Sequence, residues 1–184
     1  MEPLSIKGIK TSLTELTESD AEDVVLLRND PAKNKFLFQK AMTVNDQIAW
    51  ITKNKNSNES KNFKVTDNHQ VFKGTISIYN IADKRGEFGR YIVTNPINAI
   101  EAEYLLLKIC FEVLKLNAVY CQTNIENKTV WGQHTKLGFK ETAIKEVPVG
   151  SFADVMVKAV VQQITAKEFL AYNYDKVMKL IKFF

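Results

Sequence analysis

The chain has 184 residues, of which 45% are hydrophobic and 25% are charged, as in an ordinary globular protein. Its 25 basic and 21 acidic residues leave a formal net charge of +4, too small and too dispersed an excess to indicate a nucleic-acid partner. No apolar run approaches the roughly 20 residues that cross a bilayer. The composition therefore argues against a membrane-spanning protein, and the length favours one domain over residues 1–184.

The cysteine and N-terminal patterns favour a cytoplasmic protein. Cys110 and Cys121 have neither the spacing of a disulfide framework nor a CxxC metal pattern. We therefore expect both to be reduced and buried, and we predict no metal site. The N-terminal segment MEPLSIKGIK has no apolar stretch of the kind found in signal peptides.

The N-terminal half of the chain contains two predicted helices between strands. Apolar and polar residues alternate over residues 10–17, which predicts a strand. Thr17 and Asp20 form a capping-box pattern at the start of a helix. Asp30 ends this helix, because a residue before proline avoids the helical region. A second helix starts at Thr43. Three strands then follow, separated by turn residues, at positions 62–67, 71–81 and 87–93.

Helices and strands alternate in the C-terminal half. The apolar segment 101–116 predicts a long helix, and 117–124 predicts a strand. A short helix runs over residues 128–137, with Asn127 as its N-cap and Gly138 as the residue that ends it. The remaining predicted elements are strands at 139–147 and 152–160 and a last helix at 165–184.

The last helix starts at a capping-box pattern formed by Thr165 and Glu168. Its apolar residues recur at a spacing that makes one stripe: Leu170, Tyr174, Val177, Ile181 and Phe184. We expect this stripe to pack against the same domain. A homodimer contact is the alternative, and binding to a membrane surface is a weaker one because the lysines are few.

This order of elements predicts a mixed α/β (α+β) fold. The helix that links strand 87–93 to strand 117–124 indicates a parallel crossover within an otherwise antiparallel sheet of six to seven strands, flanked by helices. A parallel junction of this kind leaves a crevice at the strand ends, where ligands tend to bind.

The same features resemble a known family, the GNAT acetyltransferases. The resemblance covers residues 10–160 and rests on the element order, the strand EFGRYI, the helix with LLL and the segment N-(x)10-GF. The segment LRNDP, leading into KFLF, is similar to the branch that acetylates amino groups on nucleotide sugars, as in pseudaminic acid biosynthesis. The N-terminal acetyltransferases of ribosomal proteins share much of this pattern.

The resemblance implies where acetyl-CoA would bind. The cofactor would lie in the splay between strands 87–93 and 117–124, and Asn127 would contact its arm. The pantetheine would pair with the backbone near Tyr91, Ile92 and Val93. Gly89 is a candidate for the bulge that splays the strand, because a glycine inside a strand often marks a bulge.

His134 lies where many members of this family carry a tyrosine that protonates the departing CoA thiolate. A histidine can do the same, since an imidazole can give up a proton near neutral pH. The structural alternative is a partly exposed histidine stabilised by the C-terminal end of a helix dipole. The other histidine, His69, is predicted to lie in a solvated hairpin turn.

Glu87 opens the central strand, where a carboxylate in this family can take the proton of the acceptor ammonium. Some base is needed, because an amine must be neutral to attack a thioester. The alternative is a surface glutamate that pairs with Arg85 or Arg90.

The resemblance places Arg28 and Asn29 near the acceptor, where an arginine could hold a nucleotide phosphate in a bidentate manner. The alternative is an arginine that stabilises a helix C-terminus. Trp50, Phe36 and Phe38 are candidates for an acceptor wall, although core packing is the default for aromatic residues.

One family signature is missing. A glycine-rich loop normally opens the helix after the fourth strand and binds the CoA pyrophosphate through free N–H groups. Here this place reads VTNPINAIEAEYLLL, without glycine or arginine. We expect Asn98 to cap the helix, with Glu101 at the capping-box position, and Glu101 and Glu103 to place negative charge nearby. The loop could be a working variant, could bind CoA weakly, or could have lost acetyl transfer; we favour the first.

These observations predict an acetyl-CoA-dependent N-acetyltransferase that acts on a primary amine of a small molecule, namely a nucleotide-linked amino sugar of surface-polysaccharide biosynthesis. The catalytic residues would be His134 and Glu87, and Asn98 would join the cofactor-binding residues. Two alternatives remain open. One is an N-terminal protein acetyltransferase, and the other is a non-catalytic binding module that has lost the pyrophosphate loop.

Overall fold

The computed structural model describes residues 3–36, 41–149 and 152–183. The helices are α1 (Ala21–Asn29), α2 (Val44–Asn54), α3 (Pro96–Lys108), α4 (Lys128–Lys136), α5 (Ala166–Ala171) and α6 (Asp175–Phe183). The strands are β1 (Ser5–Lys7), β2 (Thr11–Glu15), β3 (Lys61–Asp67), β4 (Phe72–Ala82), β5 (Arg85–Val93), β6 (Ala118–Asn124), β7 (Lys140–Val149) and β8 (Phe152–Thr165). Over these ranges, no helix is both long enough and apolar enough to cross a membrane.

All eight strands form one sheet, in the order β1-β2-β3-β4-β5-β6-β8-β7. β5 and β6 are parallel, and the other neighbouring strands are antiparallel. The predicted mixed α/β fold with a central parallel pair is therefore confirmed, but the predicted number of six to seven strands is wrong. The additional strand, β1, has only three residues, which are too few for an alternating pattern to reveal.

Helices cover both faces of the sheet. The main core lies under α3 and includes Phe63, Ile76, Ile78 and Phe88 from the strands. α1 and α2 cover the other face around a smaller cluster of Leu16, Ala21, Val24 and Ile51. Successive strand residues point to opposite faces, so Thr75 and Ser77 face α1 and α2, where they line a cavity.

Three helix starts match the predictions and are held by local hydrogen bonds. Thr17 and Asp20 form a capping box at a short 3₁₀ turn that leads into α1. Thr43 is the N-cap of α2, and Thr165 with Glu168 forms the capping box of α5. Each box joins residues three positions apart, so the sequence pattern contains the information that it needs.

The start of α3 differs from the prediction. Asn95, not Asn98, is the N-cap: its side-chain oxygen accepts from the backbone N–H of Ile97 at 2.9 Å and of Asn98 at 3.2 Å. Pro96 takes the first helical position, where a missing N–H is tolerated. The side chain of Asn98 is buried instead and donates to Thr11 Oγ1 at 2.9 Å.

Glu101 serves the fold rather than a phosphate loop. The predicted capping-box position of Glu101 is wrong, because the N-cap is Asn95 and the Glu101 side chain is only 1% exposed against the turn between β1 and β2. Its carboxylate accepts from the backbone N–H of Lys10 at 2.8 Å and from that of Ile9. A Cβ atom at Gly8 would collide with this carboxylate, which explains the glycine there.

The C-terminal segment forms two helices rather than the single predicted helix. The chain is extended at Tyr172, and the Asn173 side chain accepts from the Asp175 N–H at the start of α6. The predicted single stripe is therefore broken. Leu170 is 76% exposed, whereas Ile181 is fully buried. Phe184, the last predicted member of the stripe, lies outside the described residues.

Both cysteines are buried free thiols, as expected. Burial raises the pKa of Cys110 and of Cys121 well above the usual range for a thiol. Both therefore behave as small apolar core residues.

Glu168 makes the start of α5 sensitive to pH. Its carboxylate pairs with Lys140 Nζ at 2.7 Å and accepts from the backbone N–H and hydroxyl of Thr165 at 2.9 and 2.8 Å. The bond to Lys140, followed by those to Thr165, lowers the pKa of Glu168 from 4.5 to about 2. A carboxyl with a lowered folded-state pKa stabilises the fold above its unfolded pKa and loses this contribution as the pH falls through the folded value.

We therefore expect Glu168→Gln to lower the free energy of unfolding near neutral pH, and to lose this effect as the pH falls from about 4.5 to about 2. Urea unfolding at a series of pH values measures the difference. Glu141→Gln is the matched control, since it removes an exposed carboxylate from β7. A Glu168→Gln penalty of equal size at both ends of this pH range would contradict the assignment.

Candidate active site

The central feature of the site is the place where β5 and β6 separate. The two strands pair only through Arg85–Glu87 and Ala118–Tyr120. β5 then continues to Val93 and β6 to Asn124, with no further pair between them in the described chain. The predicted parallel crossover is confirmed, and it opens a cleft between the C-terminal ends of the two strands.

A bulge in β5 shapes one wall of this cleft. Gly89 pairs with Ser77 and Ile92 with Thr75, so two residues of β5 lie opposite one residue of β4. Arg90, directly after Gly89, has a positive φ of 49°. Because of the bulge, the Arg90 side chain faces α1 and α2 while Tyr91 packs against the main core. The predicted bulge is thus present, one residue beyond the glycine.

His134 is buried in the wall formed by α4. The alternative of a partly exposed helix-end histidine is wrong, because the residue is only 2% exposed. Its Nδ1 lies 2.8 Å from Glu103 Oε1 on α3. Its ring packs edge-on against Phe88, with ring centres 5.0 Å apart. Gly138, with φ of +100°, turns the chain after α4 as predicted.

Glu103 is the functional candidate that sequence reasoning missed. It is 1% exposed, and its second oxygen accepts from Gln133 Nε2 at 2.8 Å. Gln133 also lies 2.6 Å from the Tyr91 hydroxyl. Burial, reinforced by the charge of Glu103, raises the pKa of Tyr91 well above its usual range. The available signal was helical spacing: Glu103 lies three and four positions before the buried residues Leu106 and Leu107.

Asn127 precedes α4, and its backbone carbonyl accepts from the Val130 N–H at 3.1 Å. Its side chain makes no capping hydrogen bond, so the local reason given for this asparagine is wrong.

Glu87 belongs to the last β5–β6 pair, opposite Tyr120, directly before the strands separate. Its carboxylate accepts from Tyr79 Oη at 3.2 Å, Asn80 Nδ2 at 2.9 Å and Gln122 Nε2 at 3.4 Å. The alternative of an ion pair with a neighbouring arginine is not seen in the described chain, where Arg85 donates to Gln163 and Arg90 to Asn62. Neutral groups therefore hold this carboxylate.

A cavity of about 330 Å³ lies beside the cleft, between α1, α2 and the central strands. Its polar and aromatic lining includes Arg28, Arg90, Trp50, Gln47, Asp46 and Ser77. The Arg90 guanidinium lies over the Tyr79 ring at 4.3 Å and over the Trp50 ring at 5.0 Å. Burial, and then the charge of Arg90, lower the pKa of Arg28 to about 10. Two cations therefore face one cavity.

Asn29 and Phe36, which were also predicted near the acceptor, are not among the residues that line this cavity. The Asn29 side chain bonds to the Met42 backbone at 2.9 and 3.1 Å, so it holds the connection between α1 and α2. Phe36 packs under the Lys35 ammonium, outside the lining of the cavity. Phe38 lies outside the described residues.

The N–H groups at the N-terminus of α3 donate to acceptors within the helix start itself. Pro96 has no N–H, Asn95 Oδ1 accepts from the next two N–H groups, and the Asn95 carbonyl accepts from Ala99 at 2.8 Å. A second cavity, of about 390 Å³, adjoins this end of the helix and is lined in part by Lys10 and His69. Lys10 therefore lies beside a helix start that has no glycine-rich loop, in a cavity that Asp67, paired with Lys73, also lines.

Comparisons with known proteins agree on the family. The acetyltransferase (GNAT) domain matches residues 10–140. The acetyltransferase PseH of Campylobacter jejuni is 27% identical over 119 residues, which make up 64% of this chain and 74% of PseH.

Solved structures with the same fold include the spermidine N-acetyltransferase of Vibrio cholerae in complex with CoA and spermine. It superposes with a TM-score of 0.76 at 18% identity, over 87% of this chain and 98% of that one. FdhC, a nucleotide-linked sugar GNAT, superposes with a TM-score of 0.75 at 18% identity, over 98% of each chain.

At these identities the solved structures establish the fold, and the domain match, which spans more than half of the chain, establishes the family. The chain therefore belongs to the GNAT acetyltransferases: it is an N-acetyltransferase built on the splayed sheet, and acetyl-CoA is its acetyl donor.

Proposed function

We propose that this enzyme transfers the acetyl group of acetyl-CoA to a primary amine on a nucleotide-linked amino sugar. The observation that carries the proposal is the pair of arginines, Arg28 and Arg90, in the cavity beside the cleft. The similarity to PseH and to FdhC, a nucleotide-linked sugar GNAT, supports the same substrate class.

The arginine pair favours an anionic acceptor. Two like charges that share a half-buried cavity repel each other, and a bound anion relieves this repulsion. Guanidinium groups also match phosphate oxygens in a bidentate manner. Asp46 lines the cavity too, but its carboxylate accepts from Thr43 in the α2 capping box. Spermidine is a polycation, so both arginines would repel it.

The cofactor is proposed to lie in the cleft between β5 and β6. Beyond Glu87, the β5 backbone at Tyr91, Ile92 and Val93 is available to pair with the pantetheine arm, and Asn127 lies at the start of α4 on the opposite wall. The pyrophosphate would lie at the α3 N-terminus, where the Asn95 side chain accepts from the N–H groups of Ile97 and Asn98 and the helix dipole favours an anion.

The chemistry then follows from the groups around the cleft. Glu87, or a water that it holds, takes a proton from the acceptor ammonium. Backbone N–H groups of β5 polarise the thioester carbonyl as the amine attacks. His134 protonates the departing CoA thiolate. Direct attack in a ternary complex needs no covalent enzyme intermediate.

Acetyl-CoA binding tests whether the loop without glycine still works. We expect acetyl-CoA to bind with a dissociation constant in the micromolar range, because the α3 N-terminus and Lys10 supply positive potential without glycines. Isothermal titration calorimetry measures this. Lys10→Ala should weaken binding by about fivefold, as loss of one charged contact does. Lys7→Ala, which removes an exposed lysine of β1, is the control. No binding at millimolar acetyl-CoA would favour a binding module that has lost acetyl transfer.

The kinetics of an Arg90 variant test the proposed acceptor. Arg90→Gln should lower kcat/KM for a nucleotide-linked amino sugar by about 10- to 100-fold, since a hydrogen bond to a charged group contributes about 1.5–3 kcal/mol. The KM for acetyl-CoA should change little. Steady-state assays of released CoA measure both values, with Lys53→Gln on the exposed side of α2 as the control. Spermidine as the better substrate of the unmodified enzyme would contradict the proposal.

The kinetics of a His134 variant test the proposed general acid. His134→Ala should lower kcat by about 10²-fold or more, the usual effect of removing a general acid. Lys136→Ala, at an exposed position of α4, is the matched control. If His134→Ala turned over as fast as the unmodified enzyme between about pH 6 and about pH 9, His134 would be removed from the mechanism. The CoA thiolate would then take its proton from solvent.

A further inference from the structure

Glu103 and His134 form a buried pair, and the mechanism proposed above gives a role only to His134. The two residues come from different helices, α3 and α4, and are 1% and 2% exposed. Nδ1 of His134 lies 2.8 Å from one carboxylate oxygen, and Gln133 Nε2 lies 2.8 Å from the other. Both oxygens of a carboxylate removed from water are thus hydrogen-bonded, as a buried charge requires.

Three weakly acidic side chains surround the Glu103–His134 pair, each on a different element. Tyr91 faces it from β5, Cys121 from β6 and Tyr174 from the segment between α5 and α6. Burial, with a contribution from Glu103, raises the pKa of all three, so all three are neutral at working pH. The rings of Phe88 and Phe139 cover His134, with centres 5.0 and 5.5 Å away. These rings exclude water from the pair.

We propose that Glu103 is a positioning residue that holds the proton of His134 on Nδ1, so that the lone pair of Nε2 serves proton transfer in the cleft. The inference rests on the proposed role of His134. An ionised carboxylate can only accept hydrogen bonds, so the 2.8 Å contact requires a proton on Nδ1. Nε2, the ring nitrogen farther from the main chain, is then free of its own proton in the neutral imidazole.

This arrangement supplies the proton that the thiolate needs. After the ammonium has lost one proton to Glu87 or water, the neutral amine attacks the thioester carbon, and its nitrogen becomes positively charged. Nε2 takes one proton from that nitrogen. As the carbon–sulfur bond breaks, Nε2 gives this proton to the sulfur, which leaves an amide, CoA thiol and neutral His134. Glu103 stabilises the imidazolium formed between the two transfers, as the buried aspartate does in serine hydrolases.

The substitution Glu103→Gln tests the arrangement directly. A glutamine has one oxygen where the carboxylate has two, and both Gln133 and His134 need an acceptor there. If the amide oxygen faces Gln133, its NH₂ group faces Nδ1, and the imidazole must move its proton to Nε2. Glu101→Gln is the matched control, because it removes the other buried carboxylate of α3, on a side that contacts the β1–β2 turn.

Two measurements read the outcome. The chain has two histidines, so ¹⁵N NMR of the neutral rings gives two patterns, and a His69→Gln variant assigns them. We expect the Nδ1–H tautomer for His134 in the unmodified enzyme and in Glu101→Gln, and the Nε2–H tautomer in Glu103→Gln. We also expect kcat of Glu103→Gln to fall by at least about tenfold, with the KM for acetyl-CoA unchanged.

Other outcomes overturn the proposal in separate ways. An Nε2–H tautomer of His134 in the unmodified enzyme would show that Glu103 does not hold the Nδ1 proton. A tautomer change in Glu103→Gln with kcat unchanged would show that His134 does not carry the proton. An unmodified enzyme that binds acetyl-CoA but acetylates no amino sugar would overturn the proposed acceptor instead, and the NMR result would still stand on its own.

Discussion

The early end of the β5–β6 pairing is the constraint on which the site depends. Only Arg85–Glu87 pair with β6, after which the two parallel strands separate. Within the described residues, the backbone of β5 beyond Glu87 has no strand partner on that side. A polar backbone edge without a partner is where an extended ligand can bind as an added strand. The helices that follow the two strands, α3 and α4, form the walls of the opening.

α3 connects this opening to the rest of the fold through two buried carboxylates. Glu101 binds the backbone of the turn before β2, and Glu103 binds His134 and Gln133 of α4. Because a buried charge is stable only with full hydrogen bonding, each carboxylate restricts the position of its partners. The wall that carries His134 is thereby tied to the same helix whose N-terminus is proposed to meet the pyrophosphate.

The bulge in β5 places the Arg90 side chain in the proposed acceptor cavity. Regular alternation would send Arg90 to the side of the main core, where a guanidinium could not be accommodated. The extra residue turns it to the face of α1 and α2, between the rings of Trp50 and Tyr79 and in the same cavity as Arg28. A backbone irregularity of one residue thus places two cations around one space, and these are what separate the proposed acceptor from a polyamine.

The order of elements, the capping boxes of Thr17 with Asp20 and of Thr165 with Glu168, and the parallel crossover were all readable from the sequence. These features depend on residues close in the chain, or on the regular spacing of apolar residues in helices and strands that bury one face. The tertiary structure alone revealed the Glu103–His134 pair, the joint placement of Arg28 and Arg90, and the burial of Asn98 against Thr11. Glu103 and His134 are 31 positions apart, and Asn98 and Thr11 are 87 apart. The two arginines are 62 positions apart. No local pattern records such contacts, because which polar groups are buried together depends on how the helices pack on the sheet.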